Sequence, residues 1–255
     1  MSQQENIGKT KQSTMGTTTS TFDKAVVLKI TLYFVLAFGI SYGFHLLPSL
    51  LALPGMKWLF TVGFGPFLST IVVSYWSKTP LSLRLFSKTS WVRTMEVTGL
   101  VVFLVGTLLT NILSGKTDYY LIIFWTLYAL FYALLEELGW RVFLGNELSK
   151  YSLFTTVLVS GVLWFAWHYS FANRLTMEHP LRFLAMIVGG SAGLAEFYRK
   201  TKSWLIVGMA HALVNVNPPS LPILLIFLAV TIGFLKFHEY KNKQAAVTRM
   251  PCEPE

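Results

Sequence analysis

The stretch Tyr119–Arg141, YYLIIFWTLYALFYALLEELGWR, decides how the whole chain is read. From Tyr119 to Leu135 every residue except Thr126 is apolar or aromatic, and no charge interrupts the run. Two glutamates and an arginine then arrive together within six residues. A run of this kind approaches the length that a hydrocarbon core of about 30 Å demands. Glu136 therefore either caps a membrane helix at the bilayer surface or rides on a helix that continues past it.

Seven more blocks of the same character flank this one. Ala25–Leu47, Trp58–Trp76 and Val97–Leu113 precede it; Ser152–Ala172, Leu181–Tyr198, Ser203–Val216 and Leu221–Phe237 follow. Hydrophobic residues make up 53% of the 255 and charged residues 13%, about half the charge of a typical soluble domain. The sequence predicts an all-α polytopic bundle of about eight transmembrane helices. It forms a single domain over 25–238, with its motif core at 119–217. Polar tails over 1–24 and 239–255 are expected on either side, the first Thr/Ser/Gln-rich and disordered. Gly65-Pro66 predicts a kink in the second helix, and the basic, aromatic Ser77–Arg93 a segment lying at the headgroups. The first block is too long for a cleaved signal core and reads as a retained helix.

The net charge of +9 raises nucleic acid as a partner, but the cations sit in the short segments between apolar blocks. Assigned to alternating sides, sixteen Lys and Arg fall on one side and four (Lys57, Lys116, Arg174, Arg182) on the other, with Lys29 set aside inside the first helix. The richer side should be cytoplasmic, which places both termini inside a plasma membrane. The bilayer is then the expected partner, and nucleic acid is not. Cys252 is the single cysteine, so neither an intrachain disulfide nor a cysteine metal cluster is available.

Ionisable side chains near the bilayer centre cost roughly 2.5–3.5 kcal/mol on insertion scales and mark candidate functional positions. Glu136, Glu137, Arg141, His168, His211 and Asn215 qualify. The residues after Arg141 still read as helix, with the first good turn near Ser149–Ser152. Taking the turn at Lys150, Glu136 stands fourteen residues before it and His168 eighteen after, roughly 21 and 27 Å along antiparallel helices. The two side chains can thus meet at similar depth. Glu137 and Arg141, four apart with the acid first, favour an ion pair whose main role is structural. That pairing leaves Glu136, about 100° around the helix, free to face a cavity. His211 and Asn215 share a helix face, as do Trp164 and His168. Each feature has a plainer reading. A lone histidine on an apolar helix is ordinarily a hydrogen-bonded core residue, and His with Asn can simply join neighbouring helices. The convergence of an acid, two imidazoles and an amide on three helices is what points to a site.

At these residues the sequence resembles the CPBP family of intramembrane proteases, which includes type II CAAX prenyl endopeptidases and bacteriocin-processing or immunity proteins. The family motif EExxxR reads Glu136-Glu137-Leu138-Gly139-Trp140-Arg141. FxxxH reads Trp164-Phe165-Ala166-Trp167-His168, with Trp in place of Phe, and HxxxN is intact as His211-Ala212-Leu213-Val214-Asn215. Val142 stands where a Gly often follows the Arg. Order and spacing agree over Tyr119–Val216.

The resemblance implies an endopeptidase acting on a membrane-associated peptide or protein. In it Glu136 is the general base, His168 orients the attacking water, His211 and Asn215 stabilise the oxyanion, and Glu137–Arg141 support them. A carboxylate stripped of water is a stronger proton acceptor, and oxyanion donors act strongly in a water-poor site. No cofactor is required on this reading. The alternative is zinc held by Glu136, His168 and His211, although no HExxH is present. A small transporter with a buried polar path, or a non-catalytic scaffold or immunity protein, would use the same residues without hydrolysis.

Overall fold

A computed structural model describes residues 23–50, 59–81, 85–171, 178–215 and 221–247. The tail before Asp23, the loop cations Lys57, Arg84 and Arg174, the prolines Pro218 and Pro219, and Arg249 and Cys252 lie outside the described residues. Among those described there are eight helices and no strand. They are α1 (Lys24–Leu50), α2 (Phe64–Trp76), α3 (Ser90–Leu113), α4 (Tyr119–Glu147), α5 (Leu153–Ser170), α6 (Pro180–Thr201), α7 (Trp204–Asn215) and α8 (Leu221–Val247). The expected all-helical bundle is borne out.

Six of the eight are long and apolar enough to cross a membrane. The other two, α2 and α7, have 13 and 12 residues, about 20 and 18 Å at 1.5 Å per residue. Burial compensates for the length of α7. In α7 every residue from Leu205 to Leu213 is buried, as an element apolar on all sides requires. Its N-terminus begins deep because Ser203, itself buried, caps it: the Ser203 hydroxyl accepts from Ile206 N at 3.1 Å and donates to Glu96 at 2.6 Å. Glu96 also accepts from the Ser87 N–H. A carboxylate beside the first turn of a helix complements its positive end.

Three boundaries differ from expectation. The second block does not kink at Pro66. It opens with a 3-10 turn over Leu59–Gly63, and the α-helix starts at Phe64, so Pro66 lies in the first turn, where its missing N–H breaks no bond. The headgroup segment ends early, because α3 starts at Ser90 instead of Val97; Ser87 folds back onto Glu96 and fixes that start. The last helix continues past Phe237 to Val247, through residues with neither Gly nor Pro to stop it.

Several of the cations in the charge tally are paired at helix ends. Lys29 bonds Glu147 at 3.0 Å and Thr79 at 3.1 Å, Lys150 pairs with Asp23, and Lys200 with Glu239. The first three contacts tie the start of α1 to the end of α2 and the α4–α5 turn, and the last ties the end of α6 to α8.

Candidate active site in the membrane core

The α4 helix does carry its carboxylates past the apolar run, but not as regular α-helix. Residues Leu138–Phe143 form a π-helical segment between Glu137 and Leu144, a local widening that recurs at functional sites. Gly139 sits inside it. A Cβ there would collide with the Tyr33 hydroxyl and come within 2.9 Å of Pro66, so glycine is what lets α4 lie against α1 and α2. On its other side α7 approaches at Gly208, where a Cβ would stand 2.5 Å from Leu134. Small residues at such crossings let membrane helices pack closely.

This packing gathers most of the predicted polar residues. Glu136 is 1% exposed, Glu137 0% and Arg141 2%. Arg141 bonds Glu137 Oε1 at 3.1 Å and Ser191 of α6 at 3.2 Å, as its i,i+4 spacing foretells. The same Glu137 oxygen accepts from His211 Nδ1 at 2.8 Å. Glu136 Oε2 accepts from the Trp164 indole N–H at 2.8 Å, and the Tyr132 phenol, one turn earlier on α4, lies beside this carboxylate. The Arg141 guanidinium lies 4.3 Å from the Trp164 ring centroid, and the His211 ring meets that indole edge-on at 5.1 Å.

His168 stands one turn farther along α5. Its Nδ1 is 2.6 Å from the Trp164 carbonyl; a carbonyl only accepts, so Nδ1 carries the proton and Nε2 is left as an acceptor. Trp167, Phe171 and Phe183 enclose the ring. The depth argument explains its place. Trp164, fourteen residues after Lys150, matches Glu136, fourteen before it, so the hairpin sets Glu136 level with the indole. Asn215 ends α7 and is exposed. Among the described residues no hydrogen bond joins it to the others.

Two expectations need correction. Glu136 is not free of partners, since the Trp164 N–H holds one of its oxygens. A cavity of about 150 Å³ borders Trp140, Arg141, Ser160, Tyr198, Arg199 and Lys202. Burial and the neighbouring Arg199 hold the Lys202 amine below its ordinary range. The supporting pair also does more than neutralise itself, because Glu137 holds His211. Trp164, Tyr132 and Ser191 were not among the predicted site residues. The signal available was the Trp standing where the motif has Phe, since a buried indole N–H must find an acceptor.

Zinc can be tested against these donors. Glu136 accepts from an indole, while His211 and His168 engage Nδ1 with Glu137 and a backbone carbonyl and keep Nε2 open, as a metal-ligating histidine does. Among the described residues, however, no three His, Cys, Asp or Glu side chains are grouped to hold a metal ion.

Residues 118–217 match the family of type II CAAX prenyl endopeptidases described as Rce1-like. CAAX prenyl protease 2 of Methanococcus maripaludis is 30% identical over 122 residues, a match covering 43% of this chain and 44% of that relative. No solved structure matches the chain. The resemblance carried by the three motifs is borne out over the segment that contains all of them.

Proposed function

Taking this Rce1-like segment as premise, we propose that the chain is an intramembrane endopeptidase that hydrolyses a peptide bond of a membrane-associated peptide or protein. A prenylated CAAX tail is the first substrate class to test. The observation that carries the reading is a fully buried carboxylate, Glu136, held by the uncharged Trp164 indole beside His211. Glu136 acts as general base on water. His168, with Nε2 free to accept, orients that water from the next turn of α5. His211, fixed through Nδ1 by Glu137, has Nε2 left for the substrate and donates to the oxyanion when the ring carries both protons. Asn215, four residues on, adds a second donor as substrate enters. Glu137–Arg141 hold the helix and the imidazole, and no metal takes part. The cation-rich end faces the cytoplasm of a plasma membrane, so substrate approaches from the inner leaflet.

The test is cleavage of a quenched farnesyl-CAAX peptide by the detergent-solubilised chain. Glu136→Gln should lower turnover by roughly a hundredfold or more, as loss of a general base does, with an unchanged elution profile. Retained turnover removes the assigned base, and activity lost to a chelator and restored by zinc removes the metal-free mechanism.

A further inference from the structure

The indole of Trp164 touches more of the site than any predicted catalytic residue does. It is 5% exposed. Its N–H reaches Glu136, one face lies under Arg141, its edge meets His211, and its own carbonyl takes His168. Arg141 is in turn fixed by Glu137 and Ser191. The contacts therefore close a ring: Glu137 to Arg141, Arg141 to Trp164, Trp164 to Glu136, and back through α4. An indole pinned by a cation on its face and an imidazole on its edge has little freedom to turn. Its N–H is aimed at one carboxylate oxygen by groups that do not themselves touch that oxygen.

From this geometry we infer that Trp164 is a positioning residue, whose N–H holds the Glu136 carboxylate in the orientation from which it takes a proton. The inference rests on the reading of Glu136 as general base. The Phe that the family motif has at this position is also aromatic but supplies no donor. This chain therefore holds its base with a side chain from α5. Arg141 acquires a second role as well, because beyond pairing with Glu137 its planar face orients the indole. Lysine, a point charge without that face, cannot replace it there. A hydrogen bond to a carboxylate favours its ionised form, so the contact sets the pH range in which Glu136 can act. The other titratable or charged groups facing Glu136 are Tyr132, Glu137 and Arg141 from α4, Tyr33 from α1 and His211 from α7.

The experiment measures kcat and KM against pH for the farnesyl-CAAX peptide. It compares the wild-type chain, Trp164→Phe, and a chain carrying at position 164 the benzothiophene analogue of tryptophan, which keeps the bicyclic shape and lacks only the N–H. Both altered chains should show the acid limb of kcat displaced upward by about one pH unit, with kcat below the limb about tenfold lower and KM unchanged. If Trp164→Phe does not fold, the analogue alone decides. A wild-type profile for the analogue overturns the inference, and so does a fall in kcat that is uniform over pH; either assigns Trp164 to packing. With Glu136→Gln inactive in the same assay, the general-base reading survives that result. An active Glu136→Gln, or a wild-type chain that leaves the peptide intact, brings down both.

Discussion

Two fully buried carboxylate sites on neighbouring helices are built on opposite plans. Glu96 on α3 is 0% exposed and, among the described residues, accepts hydrogen bonds from neutral partners, the Ser87 N–H and the Ser203 hydroxyl. It fixes where α3 and α7 begin. Glu136 and Glu137 on α4 are as deeply buried but engage an indole, an imidazole and a guanidinium. Unused capacity remains there: among the described residues Glu137 Oε2 and Arg141 Nε have no hydrogen-bond partner. Full satisfaction marks a carboxylate that holds helices in place. Aromatic and ionisable partners, with atoms left over in a buried network, mark one kept for chemistry, since unmet polar atoms in a low-dielectric interior are costly.

The strongest way to break this contrast is Arg141→Ala. It strands Glu137 as a buried carboxylate without its cation and removes the face that steadies Trp164. Uncompensated charges of this kind cost roughly 3–5 kcal/mol, so denaturant unfolding in detergent should show a large loss, together with loss of cleavage. A change as small as that from a surface ion pair would mean that the cluster is well hydrated and the contrast false.

Glu96→Ala sharpens the same contrast from the other side. Removing this acceptor leaves the Ser87 N–H and Ser203 hydroxyl without their partner, at a cost of about 1–3 kcal/mol. Cleavage per folded molecule should stay within about twofold of wild type, because several side chains of α7 lie between Ser203 and His211. A specific activity that collapsed as it does in Glu136→Gln would place Glu96 in the machinery and erase the distinction.

The two carboxylate sites were unequally legible in the sequence. The α4 pair stood at the end of an unbroken apolar run, in a motif whose i,i+4 spacing already names the ion pair. Glu96 was hidden by a boundary. With the third helix started at Val97, it fell just outside the membrane, and nothing local reveals that Ser87 folds back onto it. The π-helical segment was equally silent, and the neighbours that crowd Gly139 inside it, Tyr33 and Pro66, are distant in sequence. Counting from Lys150 placed the α4 and α5 side chains level, but the group opposite Glu136 is Trp164, whose importance comes from an N–H that the residue pattern treats as a packing variant. Asn215 shows the opposite limit: helical phase puts it on the His211 face, yet it stands at the exposed end of α7.

At the charged end a third carboxylate site gives the smallest effect. The Ala25 N–H and Lys150 hold Asp23 below its ordinary value of 3.8, and Asp23 in turn raises the Lys150 amine. Both side chains are about half exposed, and water and salt screen such a pair. A depressed carboxyl contributes above its unfolded value and loses that contribution as the pH falls through the lower, folded one. Whatever Asp23 adds is therefore present at neutral pH and disappears only below about pH 4. Lys150→Met should leave cleavage and thermal unfolding at pH 7 indistinguishable from wild type, whereas Arg141→Ala does not. If Lys150→Met lowered unfolding temperature by several degrees, the α4–α5 turn would be carrying load now assigned to the buried ring, and depth alone would no longer separate structural from functional charge.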